Sequence, residues 1–453
     1  MPIDTKHPTY LCREDDWTDC RTAFEGQRAV KEAGVRYLPR LKGQTDEEYS
    51  AYKGRALFYS TTSKSVGALV GMAMDKPPEM VYPDKLKPYF EDRSGTQFYE
   101  LFSSTVSELL LMARFGVFVD RPAAGGMPYI TTYATEDIFN WSVDEEGNTV
   151  FVVLREFYYE NDSSDKYVRV KKTRYRELEL VDGRLQITVH EDNGNNAFAP
   201  GTSTTITNTG KVMDSIPFFC VNPSGLSIEP ERPPMLDIVD INFSHYRTSA
   251  DLEHGRHFTG LPTPYVTGAD GDVKLHIGSL TAWIIPNHQA KVGFLEFTGQ
   301  GLGSLEKAME EKQSQLASMS ARLIDNSSRG SEAAETVRLR YMSETASLRS
   351  IVRAAEALLN AVYNQIASME GLGDNSVNIS LYKDFLSSKI TAAELKAWVE
   401  AYLSGGVSKE MLLHALKNGD ALPPPGTPQG TIPDPPPPQP AKPASTTSST
   451  PAQ

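Results

Sequence analysis

The sequence predicts an α+β fold, and three observations carry that reading. Apolar residues recur at helical spacing in 45–75, 235–258 and from 304 onward. Between them, 116–190 holds short runs rich in β-branched and aromatic residues, with Asp182-Gly183 as the two-residue turn favoured in a hairpin. Hydrophobic residues make up 40% of the 453-residue chain, which suffices for a sizeable core and about three domains' worth of sequence.

In chain order, 45–75 reads as one helix through Tyr49, Tyr52, Ala56, Tyr59, Val66, Leu69, Val70 and Ala73. Lys76-Pro77-Pro78 stops it, because proline lacks the N–H that a continuing helix needs. A second helix places Phe98, Leu101, Phe102, Thr105, Leu109 and Met112 on one face, with Gly116 expected as its C-terminal cap. Strands follow at 116–120, 129–133 and 150–160, then the hairpin at about 173–190. The stretch 191–210, rich in Asn, Gly, Ser and Thr, reads as a loop.

The second half changes character. A helix over 235–258 carries Met235, Val239, Phe243, Tyr246 and Ala250. Four short strand candidates come next, at 263–268, 272–278, 280–286 and 291–298. Another helix starts near Ser304, with Leu305, Met309, Leu316, Met319 and Leu323 along it. The polar segment 326–331 interrupts, and a long helix runs from about Glu332 to Met369. Its seam is Val337, Tyr341, Thr345, Leu348, Val352, Ala355, Leu359, Val362, Ile366 and Met369. At about 1.5 Å per residue it would extend roughly 57 Å. Such a seam packs within a single-chain bundle or against neighbouring subunits. Two short helices follow at about 391–404 and 408–417, the second capped by Ser408. From about Ala421 to Gln453, Pro, Ser and Thr dominate, and an extended, disordered tail is expected.

A small β excursion between two helices predicts a stalk whose tip projects from the body. Such an element has a poor ratio of core to surface and makes physical sense when neighbouring copies bury its sides.

Charge and composition narrow the function. The formal net charge is −13, from 45 basic and 58 acidic residues. Phosphate attraction supplies nearly all non-specific affinity for DNA, so this balance argues against a DNA-reading protein. The N-terminus lacks the basic start and apolar core of a secretory signal, and LLLMA at 109–113 falls far short of the ~20 residues that span a bilayer. Three cysteines, Cys12, Cys20 and Cys220, form no disulfide framework and fit a reducing compartment. A soluble protein made in a cytoplasm is expected.

No catalytic residue, cofactor or metal site is expected. Nucleophile-elbow, zinc-protease and phosphate-loop motifs are all missing from the sequence. Gly299, Gly301 and Gly303 lead into a helix, where backbone N–H groups can hold a phosphate, but they lack the dinucleotide spacing and a following lysine and read better as a turn. His254 and His257, three apart on one helix, have no third ligand in view. The segment Asn326, Ser327, Ser328, Arg329, Gly330 and Ser331 is different in kind. It is a polar break between long helices, and in a ring it would face a channel and touch passing phosphates through Arg329.

The order of elements resembles that of tailed-bacteriophage portal (head-to-tail connector) proteins. The stretches that carry the resemblance are YLPRL at 37–41, the helix ending in Lys76-Pro77-Pro78, EDIFNW at 136–141, HYRTSADLEHGRHFTGLPTPYVTG at 245–268 and ARLIDNSSRGSEAAETVRLRYMSETASLRSI at 321–351. Together they cover about 37–418, leaving the proline-rich tail outside.

The resemblance implies a dodecameric ring with an axial DNA channel at the capsid vertex. It divides the chain into an α+β wing (1–234), a stem helix (235–258), a β clip (259–302), a second stem helix (303–325), a tunnel loop with long wing helix (326–370), a helical crown (371–420) and the tail (421–453). It implies partners too: the large terminase subunit, head-completion and tail adaptor proteins, major capsid and scaffold proteins, and transient, non-specific contact with duplex DNA. No membrane is involved, and the location is the virion after assembly in the host cytoplasm. The competing expectation is a non-portal structural protein that assembles through its long helices into filaments or bundles. An enzyme using the Gly299–Gly303 turn is a weaker third.

Overall fold

The computed structural model describes residues 2–90, 96–122, 126–161, 165–192, 198–208, 211–260, 263–268, 289–295, 299, 301–321, 346–373, 375–383, 385, 392–404, 406–408, 410–412 and 416. Helices and antiparallel strands are mixed in one chain, as an α+β fold requires. Compact packing separates a unit ending at Lys383 from one beginning at Asp384.

Three N-terminal helices, α1 (Pro8–Leu11), α2 (Glu14–Glu25) and α3 (Gln27–Ala33), occupy a region for which the sequence pattern predicts no element. The predicted 45–75 helix is instead two, α4 (Asp46–Arg55) and α5 (Thr61–Ala73). Thr45 and Glu48 form a capping box that starts α4. The break has a tertiary cause. The Leu57 amide donates to Ser249 Oγ (3.2 Å) and the Phe58 amide to Gln27 Oε1 (3.2 Å), so side chains elsewhere take donors that a continuous helix would use.

After the short β1 (Glu79–Val81) and α6 (Lys87–Phe90) comes α7 (Thr96–Met112). It does not run on to a glycine cap at Gly116. Ala113, at φ 58°, turns the chain out of the helix. Trp17 Nε1 donates to the freed carbonyl of Met112 at 3.1 Å.

Gly116 lies instead inside β2 (Phe115–Asp120). This strand belongs to a four-stranded antiparallel sheet with β3 (Tyr129–Ala134), and with β11 (Phe218–Asn222) and β12 (Gly225–Leu226) after the second sheet in sequence. A Cβ at Gly116 would lie 2.5 Å from Phe218 Cζ, so only glycine lets that ring seat across the strand pair.

The second sheet is a five-stranded antiparallel meander: β4 (Ile138–Val143), β5 (Thr149–Asn161), β6 (Arg169–Val181), β7 (Arg184–Asp192) and β8 (Phe198–Pro200). Asp182 and Gly183, at φ 51° and 69°, make the predicted two-residue turn. The predicted 191–210 loop contributes β8 and the start of a small ribbon, β9 (Thr207–Asn208) with β10 (Lys211–Val212).

β2 is buried along its whole length, so both of its faces are covered. On one side the two sheets meet through a charged layer. Arg176 donates to Glu156 (2.7 Å) and Asp120 (3.1 Å), Arg174 to Glu156 (2.7 Å), and Tyr129 to Asp120 (2.6 Å). On the other side packs the helix α10 (Ala346–Met369), introduced below with α8 and α9.

α8 (Leu236–Gly260) and α9 (Leu302–Ala321) precede α10. Every described residue of the predicted α10 seam, from Leu348 to Met369, is buried, and Ile351, Leu358 and Tyr363 widen that seam into a core face. Polar residues one turn apart organise its flank. The Asn360 side chain exchanges two hydrogen bonds with the Ile379 backbone (2.8 Å each), and Asn364 does the same with Val377 (2.9 and 3.0 Å). They hold β15 (Asn378–Ser380), whose other edge pairs with β1. The second unit contains α11 (Ala392–Leu403) and, further on, Ser408, whose hydroxyl accepts from the Met411 amide at 3.2 Å in the predicted capping role. Cys20 and Cys220 are buried free thiols and Cys12 an exposed one.

Candidate functional site

The part of the fold least explained by the chain's own core is the arm formed by α8, a β hairpin and α9. At its base α8 is buried on several sides. Phe243 stacks on Tyr37 with 4.0 Å between ring centres, and Tyr246 meets Phe58 edge-on at 5.9 Å. Tyr52 donates its hydroxyl to Asp251 (2.6 Å), and burial followed by that carboxylate raises the phenol well above its ordinary value. Buried residues fall on several sides of α8, which therefore shows no single apolar stripe.

Past Leu252 the surroundings change. Arg256, Phe258, Thr259 and Gly260 are exposed, and α9 is the main neighbour left. α9 returns along α8 with Leu302, Leu305, Ala308, Met309 and Met319 half-buried, and Leu316 is its one fully buried described side chain. Polar contacts fix the pair. Arg256 donates to Glu306 (2.9 Å), Lys312 to Thr248 Oγ1 and to the Ser244 carbonyl, and Gln313 lies 3.3 Å from His245 Nε2. Gly255 permits the approach, since a Cβ there would stand 2.6 Å from Leu302.

At the far end, β13 (Thr263–Thr267) pairs antiparallel with β14 (Lys291–Leu295). These are the outer two of the four predicted strands; 272–278 and 280–286 lie outside the described residues. Tyr265 covers Gly293 across the pair, and Tyr265, Val292 and Phe294 are exposed. Among the described residues the tip is a two-stranded ribbon, an element that is marginal alone in water.

α8 also carries a polar interior. Asn242 Oδ1, His245 Nδ1, Tyr246 Oη and His254 Nδ1 are buried without a hydrogen-bond partner among the described residues. Burial, then the Lys312 charge, lowers the His245 pKa. Burial, then Arg55 and His257, lowers that of His254, which sits between the rings of Tyr52 (5.2 Å) and Phe258 (4.7 Å). Among the described residues no three His, Cys, Asp or Glu side chains gather as a metal site would need. At the other end of the hairpin, Gly299, at φ 67°, accepts from the Leu302 amide at 2.9 Å in a turn leading into α9. The predicted channel segment, Asn326 to Ser331, lies outside the described residues, as does 332–345. No helix among the described residues is long and apolar enough to cross a membrane.

The segment 234–368 matches a family described as "Domain of unknown function (DUF4055)", a span that takes in α8, the hairpin, α9 and most of α10. No curated protein matches the chain. Among solved structures, the chain is similar to a chain in the neck of an empty gene transfer agent particle, with 15% identity and a TM-score of 0.39 over 88% of this chain and 99% of that one. It is similar also to a chain in the virion of a native gene transfer agent particle, with 13% identity and a TM-score of 0.37 over 87% of this chain and 99% of that one.

Proposed function

We propose that this protein is the portal subunit of a tailed-phage head, assembling into a closed ring around an axial DNA channel. The observation that carries the reading is the arm. A helix leaves the body, leads into a small β-strand pair, and returns as a helix with one fully buried side chain, Leu316, among its described residues. A lone subunit gains little from such an element, whereas neighbours in a ring would bury its flanks and pair its tip.

In this reading α8 and α9 form the stem, β13 and β14 the clip that docks the packaging motor and head-completion proteins, and Asn326–Ser331 the loop lining the channel. The chain performs no chemistry; ATP hydrolysis belongs to the separate large terminase subunit. DNA slides through rather than binding tightly, because a net charge of −13 opposes phosphate contact. Isolated subunits should therefore give no nanomolar gel shift with duplex DNA at physiological salt.

The test is negative-stain imaging with native mass determination of the purified protein. Closed rings with a central hole are expected. Filaments or open bundles would favour the non-portal structural reading, and a monodisperse monomer at high concentration would count against self-assembly.

A further inference from the structure

The β5–β6 pair outgrows its sheet. β4 accompanies β5 only as far as Leu154, and β7 accompanies β6 only from Arg174. Residues 155–161 and 169–173 therefore form a two-stranded ribbon with both edges open among the described residues. One face sets Phe157 opposite Thr173, Tyr159 opposite Lys171, and Asn161 opposite Arg169. Both aromatics are exposed, Tyr159 at 63%, and Tyr167 near the tip is 82% exposed. Lys171 lies over the Phe157 ring at 4.0 Å and Lys166 over Tyr167 at 4.9 Å. Neither lysine, nor Arg169, pairs with a carboxylate among the described residues. A ribbon whose edges are open and whose cations lack carboxylate partners among the described residues, and which bears exposed aromatic rings, is suited to an acidic partner.

The chain itself carries such a surface. A cleft of about 570 Å³ between α2 and α8 is lined by Asp15, Asp19, Asp240, Arg36 and Arg247 around Tyr37 and Phe243. Arg36 is already engaged by Asp15 and Asp19. Three aspartates, Asp15, Asp19 and Asp240, stand against two arginines, Arg36 and Arg247, so the lining carries a net negative charge.

We propose that the β5–β6 ribbon of one subunit docks on the Asp15–Asp240 cleft of a second copy of this chain. The contact is heterologous, ribbon to cleft, and so repeats from copy to copy, building a closed ring where the rotation between neighbours closes and a filament where it does not. The inference rests on the ring reading above.

Charge reversal tests it on the full chain. R169E with K171E should raise the concentration needed for assembly by about tenfold or more, while the unfolding midpoint stays put. D15K with D240K should do the same, and the four changes together should restore assembly. Assembly of the ribbon variant at the wild-type concentration would overturn the proposal, as would failure of the folded quadruple variant to recover. Loss of binding to a short DNA duplex without loss of assembly would assign the ribbon to nucleic acid instead. The two readings fail differently. A wild type that never forms rings removes both, whereas rings that persist in the ribbon variant remove only this one.

Discussion

The guanidinium of Arg114 lies over the indole of Trp141, 4.5 Å from its ring centre, in a site where Arg114 is fully buried. Trp17 flanks the same cation at 5.1 Å. Its hydrogen bonds go to neutral oxygens: Nε donates to Thr135 Oγ1 (2.9 Å), Nη2 to the carbonyls of Thr135 (2.9 Å) and Ile138 (3.0 Å), and Nη1 to that of Ile228 (3.2 Å). Burial brings its pKa down to about 10, so the cation persists at neutral pH. One side chain thereby joins α2, the turn before β4 and the segment after β12.

Arg114→Met should therefore cost roughly 3 kcal/mol or more, because it strands three buried carbonyls. Arg114→Lys should recover only part of that loss, since an ammonium cannot reproduce the planar fork. Urea unfolding measures both, and a loss under about 1 kcal/mol would show the carbonyls finding other partners.

The Asn360 and Asn364 ladder makes a local prediction. Asn360→Leu removes both bonds to Ile379 and should destabilise by about 2 kcal/mol. Hydrogen exchange should accelerate most at the Ile379 amide and at β1, which pairs with β15. Uniform acceleration across the first unit would mean that β15 opens only with global unfolding.

Gly116 tests the packing between strands. Gly116→Ala places a methyl 2.5 Å from Phe218 and should cost about 1–3 kcal/mol by overpacking. Phe218→Leu in the same chain should recover part of the loss. Additivity of the two changes would deny the contact.

Acidification should destabilise the first unit through its histidines. His7, stacked on Trp141 at 4.1 Å, has its pKa lowered by burial, with Glu229 acting in the opposite sense. His245 and His254 are lowered as well. The unfolded chain takes up these protons near pH 6.5, the folded chain only at lower pH. Their stabilising contribution is thus complete above about pH 6.5 and lost as pH falls through the folded values. Asp137 and Asp240, both raised chiefly by burial, push the other way nearer the carboxylate range. The urea midpoint should drop between about pH 7 and pH 5. Replacing His7, His245 and His254 with Gln should flatten that slope.

Legibility in the sequence followed the range of the interactions involved. The Asp182-Gly183 turn, the buried seam of α10 and the Ser408 cap depend on neighbours a few residues away, and periodicity or turn chemistry reveals them. The break after α4 was hidden because its cause, Ser249 accepting from Leu57, lies in a distant helix. Gly116 looked like a cap because its true constraint, the Phe218 ring, is a cross-strand contact. Of the candidate site, the helix–hairpin–helix order was readable, but the exposure that makes the arm informative was not. The β5–β6 ribbon is not legible in the sequence, where Phe157-Tyr158-Tyr159 reads as ordinary strand; what frees it is that β4 and β7 end short of it, a matter of tertiary pairing.

The close approach at Gly255 separates assembly from folding. It lies beyond the buried base of α8, and its constraint comes from Leu302 in α9, not from the core of the body. Gly255→Leu should splay the two helices there and misplace the β13–β14 tip. Because the contact adds little to the core, unfolding of the first unit should shift by no more than about 1 kcal/mol. If the proposed ring exists, its formation should nonetheless fail, since α8 and α9 splayed apart cannot pack side by side around a closed circle. Gly255→Ala with Leu302→Ala, which restores room for the added carbon, should recover the rings. Imaging both variants beside the wild type decides the matter: intact rings in Gly255→Leu would mean that the arm stands outside the assembly interface, and the portal reading would lose the observation that carries it.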